Sequence, residues 1–562
     1  MRSIAGLGAF VAALTFPVAA WAAVIQVSPA DGNGAYAKIE GAGPGDEVVI
    51  APGTYAFRVY LQGRGTEDNP IYIHAQDPNN PPIWDPGGLV DDAPGSYTAG
   101  DKARGCWQVS GGTSYHIDGI VFRNCRAADY DSAGLRYYSG TSGLLITNCL
   151  FEDNDNGLTG GTENSEAMVE YSEFANNGNT GASTSSPTHN VYVYGGTFGL
   201  SYSYLHDPVQ GQNLHCRAVT STISYNWFDR AKSYVGDLMT SDDYANAPSG
   251  SITQTMILEG NVIIQGAAQA NTGQIWAVYN DEASGSPVSF QVVALYNTVV
   301  GAGAHAAFLH LSNADGTPMT AYVSDNIISG TSQPLLVEDD AHGMVFGQGN
   351  WLQTGATLTG QPSFGGSVFG SSPGFTDAAT QDYELAPGSA CIGAASALGD
   401  LPGYAGPPAS EYFQNEMVAR MRRVRATAMD LGAFEHTTTG PGIGPYDDGG
   451  VMAAVDAGAT VDATAGSEGG TPGMGVDASP SGNEGGDGAA GSQGKASSSA
   501  GCGCRVMPAG ARGTSYGSLA ILAATALLGR RRSRDRQRAR SILPCAVPCR
   551  SSRQATRGGR AG

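Results

Sequence analysis

Three of the nine histidines in the 562-residue chain, His189, His206 and His215, fall within a 27-residue window. Imidazoles move protons near neutral pH, and two cations, Arg217 and Lys232, follow closely. The segment His189-Asn190-Val191-Tyr192-Val193-Tyr194 is followed by Asn213-Leu214-His215-Cys216-Arg217-Ala218, with 23 residues between Asn190 and Asn213. That offset is about one turn of a coiled β-solenoid. It sets Val191 beside Leu214 and Val193 beside Cys216. Strand side chains alternate between faces, so Tyr192 lies beside His215, and Tyr194 beside Arg217, on the opposite face. An outer row of aromatic, imidazole and guanidinium groups suits a sugar polymer. Plainer roles exist for each residue: an outward Arg can simply stack on Tyr, and His206-Asp207 can be a hydrogen-bonded turn. His189 shares the parity of Val191 and Val193, which would turn it into the core.

The elements that must carry this row are repeats. Compare Ile117-Asp-Gly-Ile-Val-Phe122, Ile146-Thr-Asn-Cys-Leu-Phe151, Val169-Glu-Tyr-Ser-Glu-Phe174, Leu200-Ser-Tyr-Ser-Tyr-Leu205 and Ile223-Ser-Tyr-Asn-Trp-Phe228. Leu258–Ile263, Ala294–Val299 and Val323–Ile328 continue the series at intervals of 23 to 36 residues. Asn, Asp or Gly at many of the bends tolerates the left-handed backbone of a tight corner. Stacked coils would share one apolar core, with every strand paired above and below. No comparable helical period runs between residues 30 and 435, so the chain is predicted to be all-β, a parallel solenoid over 23–436. An antiparallel sandwich is the alternative.

The flanks carry a family resemblance. Pro44-Gly-Asp-Glu-Val-Val-Ile-Ala-Pro-Gly-Thr-Tyr55 resembles the opening coil of right-handed parallel β-helix proteins of the pectate-lyase-like superfamily. Asp382-Tyr-Glu-Leu385, Ser389-Ala-Cys-Ile392 and Asp430-Leu-Gly-Ala-Phe-Glu435 resemble its closing segment. The His-Asn-Val-Tyr-Val, His-Asp and His-Cys-Arg-Ala series resembles a subgroup of probable polysaccharide-degrading enzymes, and distantly alginate epimerases and lyases. Such enzymes remove a proton next to a carboxylate, which needs a base beside a neutralising cation. The resemblance implies His215 or Lys232 as base, Arg217 against the substrate carboxylate, and His189 and His206 as supporting acid or orienting groups. Tyr192, Tyr194 and Tyr204 would form the sugar-stacking surface, with Asn190, Asn213 and Asp207 as further substrate contacts.

Two other chemistries stay open. Asp207, Asp229, Asp237, Asp242 and Asp243 could supply the paired carboxylates of a glycoside hydrolase. The Glu152-Asp-Asn-Asp-Asn-Gly157 run is dense enough in oxygen for Ca²⁺, although it lacks a full Ca²⁺-loop spacing; no other cofactor is expected. A non-catalytic glycan-binding or adhesion module is the third possibility. No Cys/His metal spacing, phosphate-cradling Gly loop or Ser-nucleophile motif stands out.

The net charge of −21 conceals an asymmetry. Thirteen arginines and one acid lie from Arg505 onward, which leaves 17 basic against 50 acidic residues in 1–504, a net of −33. A body so acidic repels nucleic acid and anionic lipid. Arg2, an apolar run over about 5–20 and Ala20-Trp21-Ala22 read as a signal peptide, residues 1–22. Of the five cysteines in the predicted fold, buried thiols are expected, with a Cys106–Cys125 bridge as the alternative. Residues 437–500 are Gly-, Ala-, Ser- and acid-rich and are read as a flexible linker. In 501–532 come Cys502 and Cys504, the apolar run Tyr516–Gly529 and Arg530-Arg531-Arg532, an order that resembles the myxobacterial C-terminal sorting tag. That resemblance implies a short membrane segment and display at the cell surface or outer envelope. The basic tail 533–562 is expected to be disordered. The expectation is a secreted, envelope-anchored monomer whose partner is a polysaccharide.

Overall fold

Alternating apolar residues and tight polar corners wind the chain into stacked coils. The computed structural model describes residues 22–436 apart from 96–103, 163, 183–187, 244–251, 267–273, 282–287, 302–306, 359–363, 405, 407, 409, 413–419 and 422–428. Each coil visits three parallel sheets in turn. The first has 12 described strands, from Val24–Val27 to Gly343–Gln348; the second also has 12, from Thr54–Tyr55 to Val368–Gly370. The third has ten, from Val59–Leu61 to Leu335–Val337. All pairing within these sheets is parallel, which rules out the sandwich and establishes a parallel β-helix. The expectations for 437–562, namely linker, sorting tag and tail, and for the signal peptide lie outside the described residues, Ala22 excepted. No helix among the described residues is long and apolar enough to cross a membrane.

The repeats fall where the pattern put them. Ile117, Ile146, Val169, Leu200, Ile223 and Leu258 stack inward from the first sheet, and Phe122, Phe151, Phe174, Leu205, Phe228 and Ile263 from the second. Phe122, Phe151 and Phe174 stack nearly parallel, their centroids 4.9 and 4.7 Å apart. Each such side chain contributes about 2 kcal/mol by leaving water.

Two corners lock the coils. Between first and second sheets, from Gly119 to Gly349, one residue per coil takes positive φ, and four of these are tyrosines: Tyr171, Tyr202, Tyr225 and Tyr296. A β-carbon is strained there, but Tyr171, Tyr202 and Tyr225 stack on one another at 4.9 and 5.3 Å along the corner. The next residue starts a buried amide ladder, Asn226–Asn261–Asn297–Asn326–Asn350, each Nδ2 donating to the next Oδ1 at 2.9–3.0 Å. The second-to-third corner has its own ladder, Asn154–Asn177–Asn190–Asn213. Asn190 and Asn213 are therefore not substrate contacts. Both are wholly buried, their Nδ2 groups also donating to the carbonyls of His206 and Asp229. Asparagine satisfies orphaned backbone groups at a turn as readily as it would a sugar.

Cys106 and Cys125 form a disulfide, the less expected of the two outcomes, whereas Cys149, Cys216 and Cys391 are buried thiols. The closing segment does not simply continue the coil. Phe375–Asp377 and Asp382–Leu385 pair antiparallel, and Tyr383, Tyr412 and Phe434 pack on Trp227 and Val262 outside the second sheet. Leu385, Cys391 and Leu431 pack on Ile327 and Trp351, while Leu398, Leu401 and Tyr404 pack around Val293 and Tyr296. This strap covers the outside of the second sheet and its corner with the first.

Candidate functional site

Outside the third sheet the register builds a column: Gln108, Arg136, Thr159, Tyr192, His215, Asp237, Ala277 and His310 on successive coils. The pairing of Tyr192 with His215 is the one the 23-residue offset demands. Asp237, wholly buried, accepts from His215 Nδ1 at 2.8 Å, Gln212 Nε2 at 2.9 Å and the Cys216 amide at 3.1 Å. A carboxylate accepting at Nδ1 places the ring proton there. His215 Nε2 is left with no hydrogen-bond partner among the described residues, and the side chain keeps 8% exposure.

His189 is buried, 2% exposed, but lies with His215 rather than in the apolar core. Its ring stacks on that of His215 at 4.7 Å and 10°, and Tyr192 meets both rings edge-on at 5.3 and 4.5 Å. The Gln212 amide donates to His189 Nδ1 at 3.1 Å, so a neutral His189 carries its proton on Nε2. His189 lies in the turn before its strand, where strict alternation does not apply.

Arg217 borders this group but is already engaged. Its guanidinium grips Asp281 through Nη2 at 2.6 Å and Nη1 at 3.2 Å, donates to the Thr240 carbonyl at 2.8 Å, and has Asp242 at 3.5 Å. Burial works against its charge, but Tyr192 and Asp281 outweigh this and raise its pKa. Burial also raises the pKa of the Tyr192 hydroxyl, against the pull of the neighbouring Arg217. The Asp242 carboxyl is raised by desolvation and by Asp281 and Asp243, with Arg217 and His215 opposing. Tyr194 turns from Arg217 to Arg136, whose Nη2 donates to its hydroxyl at 2.9 Å.

The remaining expected site residues lie on the second sheet or at its edge. Tyr204 is 1% exposed under the strap and stacks on His206 at 4.1 Å, so it offers no sugar platform. His206 uses both ring nitrogens, Nε2 on Glu173 at 2.9 Å and Nδ1 on Asp207 at 2.7 Å, and Arg230 closes on Asp207 at 2.8 Å. Desolvation opposes the charge on His206, but these carboxylates prevail and raise its pKa. Asp207 is consumed by this network and is not a free substrate contact. Lys232 is exposed on the loop between second and third sheets, with no partner among the described residues.

The carboxylates considered for hydrolysis disperse as well. Asp229 binds Arg230 and Gln381, Asp237 orients His215, and Asp243 accepts from the Gly196 amide at 2.9 Å. In the 152–157 run, Glu152 pairs with Arg123 and Asn154 joins the ladder. Asp155 accepts from Ala127, Ser132 and Asn179. These oxygens serve internal bonds, and no three His, Cys, Asp or Glu groups among the described residues gather as metal ligands.

Sequence reasoning missed Asp237 as the partner of His215, although its separation of 22 residues is again one coil. Asp281 and Arg136 gave no such signal, because loop insertions of unequal length separate them from the site.

No family model matches the chain, and no curated protein matches it. Among solved structures it is similar to pectate lyase Pel9A at 15% identity and TM-score 0.45, covering 74% of this chain and 96% of that one. It is also similar to an alginate lyase from Paenibacillus sp. str. FPU-7 at 14% and 0.39, covering 58% and 98%. For the GH136 lacto-N-biosidase from Eubacterium ramulus the values are 10% and 0.32, covering 57% and 68%. Neighbours this distant assign no activity. The chain is a parallel β-helix protein on the strength of its own strand pairing.

Proposed function

We propose that this is a carbohydrate-active β-helix protein, exported and held at the cell surface, that acts on an acidic polysaccharide as a lyase or epimerase. The observation that carries the reading is the Asp237–His215 pair, with Nε2 unpartnered among the described residues and the His215 ring against Tyr192, which neighbours Arg217. In this scheme His215 Nε2 takes the proton from the carbon bearing the substrate carboxylate. Asp237 holds the ring in the required tautomer and stabilises the imidazolium that forms. Arg217, shared with Asp281, offsets charge on the carboxylate as electrons move into it. In elimination a carbon–carbon double bond forms and the glycosidic carbon–oxygen bond breaks. Tyr192, whose raised pKa keeps its proton at neutral pH, donates it to the leaving oxygen. In epimerisation the carbon–oxygen bond stays intact, and an acid on the other side of the sugar, rather than His215, supplies a proton to the opposite face of that carbon.

One observation favours a second reading, hydrolysis: the Asp242 carboxyl is shifted toward retaining its proton and shares Arg217 with Asp281, which could serve as acid and carboxylate. Incubating the full-length protein with acidic and neutral polysaccharides, with and without Ca²⁺, separates the cases. Elimination creates an ultraviolet-absorbing unsaturated end, and epimerisation changes uronate configuration by NMR without cleavage. Reducing ends without that absorbance would establish hydrolysis, and retention of glycan with no product would establish a binding module; either overturns the proposal.

A further inference from the structure

We propose that Arg136 is a distal carboxylate-binding position of the same glycan, so that an acidic chain lies along the solenoid from His215 toward the N-terminal coils. The inference rests on the lyase or epimerase reading and adds the direction and reach of the bound chain. Arg136, Thr159, Tyr192 and His215 are register partners on four successive coils. Three strand spacings separate the first from the last, roughly 14 Å. A pyranose repeat is close to one such spacing in length, so the two positions lie about three sugars apart.

The chemistry of Arg136 fits an anion. Its Nη1 donates to the Asp131 carbonyl at 2.7 Å and its Nη2 to the Tyr194 hydroxyl at 2.9 Å, but its Nε is buried without a partner. The Tyr138 and Tyr194 rings flank it at 5.7 and 5.8 Å. The carboxylate that pairs with it among the described residues, Asp131, stands 3.5 Å from Nη2 and is itself bound by Arg104, which also holds Asp129. A desolvated guanidinium whose one neighbouring carboxylate is shared with Arg104 keeps the capacity to bind an incoming one. The Arg136 side chain is 7% exposed, about as reachable as His215 at 8%. One coil lower, Gln108 has a buried Oε1 without a partner, where a sugar hydroxyl could donate.

Charge chooses the direction. Toward the C-terminal coils the same face carries Asp242, Asp281 and the Glu338 that binds His310 against the one cation Arg217, an excess of negative charge that repels a polyanion. Toward the N-terminal coils Arg136 and Arg104 balance Asp129 and Asp131, so that side does not repel it.

The test uses saturated oligouronides of two to six units titrated calorimetrically into full-length His215→Ala protein, with and without Arg136→Gln. Arg136→Gln should weaken binding of tetramers and longer chains about tenfold and leave dimers unchanged, the loss of one charge-assisted contact. Equal affinity across all lengths, or the same loss for dimers, overturns the inference. If Arg136→Gln does not fold, Gln108→Leu, one coil further on, should weaken binding only of pentamers and longer chains, and equal loss at all lengths overturns the inference. Turnover of an acidic glycan by wild type with no length dependence defeats only this inference. No turnover and no binding defeats the proposed function with it.

Discussion

At the scale of single residues, the site depends on one buried carboxylate. Asp237 holds His215 by Nδ1 while two further donors hold Asp237, so the imidazole has one orientation. Asp237→Asn keeps the shape but can present an N–H to Nδ1, which favours the wrong tautomer. Turnover should fall roughly 10²- to 10⁴-fold with KM little changed. Steady-state rates on whichever acidic glycan the wild type processes, with circular dichroism to verify folding, would check this. A loss smaller than threefold would remove the pair from the mechanism. Tyr192 and His215 were legible because no insertion intervenes between their coils. Arg217 was legible as a neighbour but not as a bound cation, since its partner Asp281 lies 64 residues further on.

At the scale of elements, the corners hold the coils in register. Asn261 Nδ2 donates to the Ile223 carbonyl at 2.8 Å and to Asn297 Oδ1 at 2.9 Å, and its Oδ1 accepts from the Asn226 amide at 2.9 Å. Asn261→Ala strands buried polar groups on the coils to either side and should cost about 3 kcal/mol. Chemical denaturation would show this as a lower midpoint; a change below 0.5 kcal/mol (roughly the scatter of a surface substitution) would mean that water replaces the amide. The repeats made the existence of these corners readable. They did not distinguish corner asparagines from ligand-binding ones, because Asn190 and Asn213 adjoin the outward row in sequence while pointing into the wall.

At the scale of the whole molecule, the strap decides which faces remain available. Arg230 and Asp229 link the His206 network to Gln381 of the strap. His206 has a folded pKa raised above its ordinary value of 6.5, so its stabilisation is complete below about 6.5 and is lost as pH rises through the folded value. The Asp207 carboxyl is held well below its ordinary value; burial opposes this, but His206 and Arg230 prevail. That contribution is present above about 3.9 and fails on acidification. Thermal melts should therefore show the largest gap between wild type and His206→Gln near pH 5 to 6, narrowing under alkaline conditions. A gap independent of pH, or one growing with alkalinity, would contradict this.

The chain's own residue order determined the coil period, the inward stack and the outward pairing of Tyr192 with His215, because side-chain alternation is a local rule with a period of two. Tertiary structure alone decided that the strap buries Tyr204 and that Asp281 takes Arg217. It likewise brought Arg136 onto the face of His215. Such pairings join residues tens to more than a hundred positions apart, through loops whose lengths follow no repeat.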